Sequence, residues 1–166
     1  MRPIVLSLLF VLGVAVPSSA QHTVFVVRHA ERADAGTSAS PMMATDPDLS
    51  EIGKARADSL AAALKDAGIT AVFTTEYKRT QQTAAPLARS LGLDVTTVSA
   101  RDMPGLIEKV KAASGNVLVV GHSNTVGDVI ARLGVTETVK VGDSDYDNLF
   151  VVVRTQKPVL VRLHFK

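Results

Sequence analysis

The sequence predicts an α/β fold: a three-layer sandwich with a mixed, mostly parallel central sheet and a C-terminal antiparallel hairpin. Three features of the 166-residue chain point to it. Short, nearly continuous β-branched runs, the first from Thr23 to Val27, read as strands buried on both faces, so helices must cover both sides of the sheet. These runs alternate with longer segments whose apolar residues return at helical spacing, the pattern of right-handed βαβ crossovers. The last two runs are parted by a short connection at Gln156, Lys157 and Pro158, too short for a crossover helix, which favours an antiparallel pair.

Composition agrees with a single globular domain. Hydrophobic residues make up 46% and charged residues 20%, which excludes a wholly disordered or collagen-like chain. The chain has no cysteine, so disulfides, thiolate nucleophiles and cysteine-ligated metal centres are excluded. Eighteen Lys and Arg face 16 Asp and Glu, a net charge of +2, with no clustered basic face of the kind nucleic-acid binding needs.

After the strand at Thr23–Val27, a polar loop containing Gly36, Ser38, Ser40 and Pro41 extends to Leu49. Ser50 caps a helix from about Glu51, with Ile52, Ala55, Leu60, Ala63, Leu64 and Ala67 on one side and Gly68 as its stop. Thr70–Thr75 is the second strand. A second helix from Arg79 to Leu91 buries Thr83, Ala84, Leu87, Ala88 and Leu91, and Pro86 inside it predicts a kink or a local loss of hydrogen bonding. Gly92 stops it. Leu93–Val98 is the third strand, and Pro104 opens a short helix to Ala112 or Ala113. Gly115 and Asn116 turn into the strand Val117–Val120, followed by a polar knot from Gly121 to Thr125 and a helix from Thr125 to Leu133, with Gly134 as its stop. A linker from Val135 to Asp147, acidic in its second half, leads to the strands Leu149–Val153 and Val159–Phe165.

Residues 1–20 read as a secretory signal peptide. Arg2 precedes an apolar stretch from Ile4 to Val16, and small residues at Ser18 and Ala20 fit cleavage after Ala20. The alternative is an uncleaved anchor, although Pro17, Gln21 and His22 interrupt the approximately 20 apolar residues that a span requires. Export implies a periplasmic or secreted protein with no stable membrane insertion once the signal is removed.

Chemistry-bearing residues gather just past the strands. Arg28 and His29 follow the first, Thr74, Thr75 and Arg79 the second, and Gly121, His122 and Ser123 the fourth. In open α/β sheets ligands bind outside the carboxyl ends of the strands, so these loops can bring two histidines and two arginines to one crevice. Arginine forks match phosphate oxygens, a neutral histidine can attack phosphorus, and a second, cationic histidine can stabilise the moving charge. No metal or other cofactor is required by such a set. The competing reading is structural: arginines in surface ion pairs and histidines that cap helices.

Val26-Val27-Arg28-His29-Ala30-Glu31 resembles the opening motif of the histidine phosphatase superfamily, the phosphoglycerate mutase-like proteins. Leu49-Ser50-Glu51-Ile52-Gly53, the segment from Thr74 through Arg79 to Ala84, and Val120-Gly121-His122-Ser123 resemble its later motifs in order. The family's third motif residue is usually Gly where this chain has Ala30. The resemblance spans Thr23 to Leu133 and implies a single histidine phosphatase-like domain over residues 21–166, similar to the small bacterial protein-phosphohistidine phosphatases. It implies that His29 is the phosphorylated nucleophile and that Arg28, Arg79 and His122 surround the phosphoryl group. For the general acid the candidate is Asp102, in Arg101-Asp102-Met103-Pro104-Gly105, with Glu108 as a weaker choice; Glu76, in the second motif, could orient another side chain, and Glu31 is expected to pair with Arg32 or Lys54. Asp143, Asp145, Asp147 and Asn148 lack the Gly and terminal Glu of a calcium loop and read as a solvated connection.

The expected function is that of a metal-independent phosphatase acting on a phosphomonoester or phosphoramidate, borne by a small molecule or a macromolecule, through a phosphohistidine. The alternatives are a non-catalytic phosphate-binding or regulatory module of the same fold and an envelope-associated scaffold.

Overall fold

A computed structural model describes residues 22–34 and 46–166. The expected signal peptide and the Gly36–Pro41 part of the first loop lie outside the described residues.

The chain runs β1 (Thr23–Arg28), α1 (Glu51–Leu64), β2 (Ile69–Thr74), α2 (Lys78–Leu91), β3 (Val95–Thr97), α3 (Met103–Ala112), β4 (Asn116–Gly121), α4 (Ser123–Arg132), β5 (Asn148–Val153) and β6 (Val159–His164). These strands form one sheet in the order β3-β2-β4-β1-β5-β6. The first four are parallel, and β5 runs antiparallel to both β1 and β6. The sheet is therefore mixed, mostly parallel, with the expected C-terminal hairpin.

Strand alternation divides the core between the two faces. Val24, Val26, Phe73, Val117, Val119, Phe150 and Val152 point to one side, where Ile107 and Val110 of α3 and Val126, Val129 and Ile130 of α4 cover them. Val27, Val72, Leu118, Val120 and Leu149 point to the other, beneath Leu60 and Leu64 of α1 and Ala84 and Leu87 of α2. The central strands β1 and β4 contribute to both clusters, which accounts for their uninterrupted apolar sequences.

Local details depart from expectation for identifiable reasons. The third strand contracts to Val95–Thr97, because the Leu93 N–H is spent on Ala88 O (2.9 Å) in closing α2 behind the left-handed Gly92. Helix α1 stops at Leu64, before the left-handed Gly68. Helix α4 starts at Ser123, two residues early, because Thr125 Oγ1 accepts the His122 N–H (2.9 Å) and so caps the first turn. Helix α2 is continuous through Pro86, whose missing N–H removes one ladder bond while Thr83, Ala84, Leu87 and Ala88 stay buried around it. Glu31 pairs with neither Arg32 nor Lys54. Arg56 reaches it in a forked contact, with Nη2 to Oε1 at 2.6 Å and Nε to Oε2 at 2.9 Å, while Arg32 holds Asp34 and Lys54 holds Glu51.

This arrangement creates a crevice at one place. Strand β1 leads into α1 on one face, and its neighbour β4 leads into α4 on the opposite face. The two chains diverge past Arg28 and Gly121, which are register partners, leaving an opening between their carboxyl ends.

Candidate active site

His29 and His122 follow directly from that register. The His29 N–H donates to Gly121 O (2.9 Å), so the residues after β1 and β4 start side by side, and the two imidazole centroids lie 5.4 Å apart. Both rings are buried, His29 at 4% exposure and His122 at 7%. Together with Arg28, Arg79, Arg32, Tyr77, Arg101, Ser123 and Asp143 they line a cleft of about 350 Å³. Four of the five residues expected at the site thus meet in one place.

The His29 tautomer is set by its neighbour. Nδ1 stands 2.8 Å from Ala30 O, and a carbonyl only accepts, so Nδ1 carries the proton and Nε2 keeps its lone pair. Burial, opposed in part by that bond and reinforced by Arg28, His122 and Arg79, pushes the His29 pKa down to about 3. The loop behind it is clamped: the Ala30 N–H donates to Thr83 Oγ1 (2.9 Å), and Thr83 Oγ1 donates to Arg79 O (2.7 Å). One turn of α2 therefore orients both the His29 loop and Arg79. Gln82 adds a second clamp, accepting from Leu49 N and donating to Asp48 Oδ1, each at 2.8 Å.

His122 is held from both ring nitrogens. Arg79 Nη2 approaches Nδ1 at 3.5 Å, which leaves the ring proton on Nε2 to donate to Thr75 Oγ1 (3.0 Å); Thr75 and Thr80 hydroxyls lie 2.9 Å apart, and Thr80 donates to Tyr77 O (2.7 Å). Burial first, then Arg79, brings the His122 pKa down to about 4 despite the favourable charge of Glu76. The free site therefore holds a neutral His122, where a cationic one was expected. A doubly charged phosphoryl group, were one to bind beside it, would favour the protonated ring.

The guanidiniums are positioned by aromatic rings. Arg28 lies 4.2 Å over Tyr146 and donates from Nη1 to Gly142 O (2.8 Å); Arg79 lies 4.3 Å over Tyr77. Both Nε atoms are buried and have no hydrogen-bond partner among the described residues. Asp46 Oδ1 stands 3.7 Å from Arg79 Nη1, beyond hydrogen-bond distance. Burial and nearby Arg32 lower the Arg79 pKa from its ordinary value, an excess of positive charge that a bound anion relieves.

Asp102 does not join this group. Its carboxylate caps α3, accepting from Gly105 N (2.9 Å), and it faces a small apolar cavity beneath the cleft with Phe73, Val98 and Leu106. Glu76 is exposed and accepts from Ala100 N (2.7 Å). Among the described residues, no group of three or more His, Asp and Glu side chains is placed to hold a metal ion.

Sequence reasoning gave Arg32 only as a partner for Glu31 and Asp143 only as part of a solvated connection, and it found no aromatic binding stripe to place Tyr146 at the site. Tyr146 and Asp143 lie on the 135–147 connection, whose sequence carries no periodicity or motif to assign it to the cleft. Thr83 and Gln82 lie within a segment already singled out, but their clamping role needs the fold to be visible.

No curated protein matches the chain in sequence. Solved structures match its fold closely. A protein described as an alpha-ribazole-5'-P phosphatase from Escherichia coli K-12 superposes with a TM-score of 0.68 at 16% identity, over 87% of this chain and 96% of its own. A mycobacterial glucosyl-3-phosphoglycerate phosphatase with VO3 gives 0.67 at 14%, over 87% and 100%. The protein histidine phosphatase SixA complexed with tungstate gives 0.65 at 18%, over 86% and 96%. The model of the histidine phosphatase superfamily (branch 1) matches residues 24–102, which hold Arg28, His29 and Arg79. With that match and the two histidines and two arginines converging where β1 and β4 diverge, residues 24–102 are similar to the histidine phosphatase superfamily (branch 1), the phosphoglycerate mutase-like enzymes.

Proposed function

We propose that the protein is a metal-independent phosphatase that hydrolyses a phosphomonoester or phosphoramidate through a phosphohistidine at His29. The observation that carries this reading is the His29 tautomer: Nδ1 donates to Ala30 O and burial keeps the ring unprotonated, so Nε2 is a nucleophile in a cleft lined by Arg28 and Arg79.

In the first step Nε2 attacks phosphorus, the P–Nε2 bond forms and the bond to the leaving oxygen or nitrogen breaks. Arg28 and Arg79 bind the phosphoryl oxygens, and His122, protonated as the dianion enters, stabilises the charge spread over them. In the second step water attacks phosphorus and the electron pair of the P–N bond returns to Nε2. The Ala30 carbonyl accepts from Nδ1 throughout and supports the positive charge of the phosphorylated ring. The 16–18% identity to the alpha-ribazole and protein-histidine phosphatases supports the fold, and their names supply the two leaving-group classes, an ester oxygen and a ring nitrogen. Residues 1–20 support a periplasmic or secreted setting.

The test is phosphate release from an aryl phosphate by the purified protein in EDTA, with His29→Ala alongside. Release that survives EDTA and is lost in H29A is expected, together with an acid-labile phosphoprotein on rapid quench. Multiple turnover at wild-type rate in H29A would refute the reading, and a folded wild type that binds phosphate without turnover would identify a binding module.

A further inference from the structure

The mechanism above leaves one proton without a carrier, because an alkyl leaving group must be protonated and the attacking water must lose a proton. We infer that Asp143 is the carboxylate that gives the first and takes the second, an assignment that rests on the phosphatase reading.

Among the described residues Asp143 is the one carboxylate lining the cleft that holds His29 and His122. Residues 1–21 and 35–45 contain no Asp or Glu, so no other part of the chain has one to offer. The remaining nearby acids are engaged elsewhere: Glu31 with Arg56, Asp34 with Arg32, Asp46 with the Lys78 N–H, Glu76 with the Ala100 N–H, and Asp102 at the start of α3.

Asp143 is also held in place while remaining accessible. Its side chain is 95% exposed, yet Ser123 Oγ donates to Oδ1 at 3.0 Å and Arg28 Nη2 lies 3.9 Å away. The segment around it is pinned to the phosphate-binding arginine on both sides. Before it, Gly142 O accepts from Arg28; after it, the Tyr146 ring lies under the same guanidinium. Gly142 and Asp145 close the turn, with Gly142 N donating to Asp145 Oδ2 (2.9 Å) and Asp145 N to Gly142 O (3.1 Å). Further back the strap lies flush on α4, where a Cβ at Gly127 would come within 2.4 Å of Val139 O. Ser123 occupies Oδ1, which leaves Oδ2 for the reacting group.

The proton balance closes over one turnover. In the first step the Asp143 carboxylic acid donates its proton to the departing oxygen as the P–O bond breaks, releasing the alcohol and leaving the carboxylate. In the second the carboxylate takes a proton from water as its oxygen bonds to phosphorus. That yields inorganic phosphate, neutral His29 and the protonated acid again.

The inference is tested by measuring kcat/KM for p-nitrophenyl phosphate and glycerol 2-phosphate from pH 4 to 8, in wild type, Asp143→Asn, Asp102→Asn and His29→Ala. p-Nitrophenolate departs without a proton. D143N is therefore expected to lose about 10²–10⁴-fold on the alkyl ester and less than about tenfold on the aryl ester. The aryl reaction of D143N should show a burst of nitrophenol as phosphoenzyme accumulates, and D102N should keep the wild-type ratio of the two substrates. Inorganic phosphate should inhibit D143N at least as tightly as wild type.

Equal losses on both esters, weaker phosphate inhibition in D143N, or a wild type without measurable alkyl turnover would each overturn the assignment, the second by showing that Asp143 only positions Arg28 and Ser123. Turnover surviving in H29A would instead overturn the phosphatase reading beneath it.

Discussion

Burying two uncharged imidazoles beside two guanidiniums makes the fold itself sensitive to acid. The His29 pKa is about 3 in the folded chain and near 6.5 when the chain unfolds. Between those values the unfolded state binds the extra proton, so stability rises with pH: the contribution is fully present above about pH 6.5 and is lost as pH falls toward 3. Each pH unit within that window costs about 1.4 kcal/mol for one proton. Over the full span His29 accounts for about 3–5 kcal/mol, a substantial part of the roughly 5–15 kcal/mol that holds a domain of this size. His122, at about 4, adds a loss of the same sign over a narrower window. Replacing His29 with Asn removes the titrating group. Urea unfolding followed by circular dichroism at pH 4.5, 5.5, 6.5 and 7.5 should then show H29N losing less stability than wild type between pH 6.5 and 4.5, by up to about 2.7 kcal/mol. Identical pH slopes for the two proteins would refute the claim that His29 is buried uncharged. Saturating phosphate should stabilise wild type most where His122 can be protonated against the bound dianion, which separates the ligand's effect from that of the empty site.

Three further outcomes follow from the geometry. Arg79→Ala should weaken inhibition by phosphate and vanadate by about 10–100-fold, the loss of a charge-assisted forked donor of roughly 1.5–3 kcal/mol, read from inhibition constants. Gly53→Ala should destabilise the protein by about 1–3 kcal/mol or prevent folding, because the added Cβ would meet the Glu31 carbonyl oxygen at 2.2 Å; a chemical denaturation midpoint unchanged from wild type would show that the α1 start can move away. Asp102→Ala should cost about 1 kcal/mol of stability through the lost α3 cap while leaving the relative rates on alkyl and aryl esters unchanged, as thermal melts and the two assays will show.

Chemically the site works by exclusion as much as by contact. Burial keeps both histidines neutral in the free site, and the two arginines are aligned on tyrosine rings, so in the proposed reaction they would lose little freedom on binding a phosphoryl group. The hydroxyl relay from His122 through Thr75 and Thr80 ends on a backbone carbonyl, so its direction is set by the fold and persists without substrate.

The α/β class, the order of strands and helices and the closing hairpin were legible because they rest on short-range properties: β-branched runs, helical periodicity, caps and turn residues. Arg28, His29, Arg79 and His122 were legible because they stand directly past strands, and in a parallel sheet all such positions lie at one edge. Asp102 was read as a catalytic candidate, whereas the structure places it as the cap of α3 and outside the cleft lining; a carboxylate three residues before Gly105 suits either use, and sequence spacing does not distinguish the two. Glu31 was paired with the wrong partner because Arg56 reaches it from one turn into α1, a neighbour created by packing.

By itself, then, the sequence determined the fold class and that Arg28, His29, Arg79 and His122 stand just past strand ends, since each follows from local pattern and position along a strand. Tertiary structure alone decided which tautomer His29 adopts, that His122 is neutral in the free site, that Thr83 and Gln82 clamp the His29 loop, and that Asp143 lies in the cleft. Those properties depend on burial and on contacts between residues up to 118 positions apart, such as Arg28 and Tyr146, and the distances and desolvation that control them come into being only when the chain is packed.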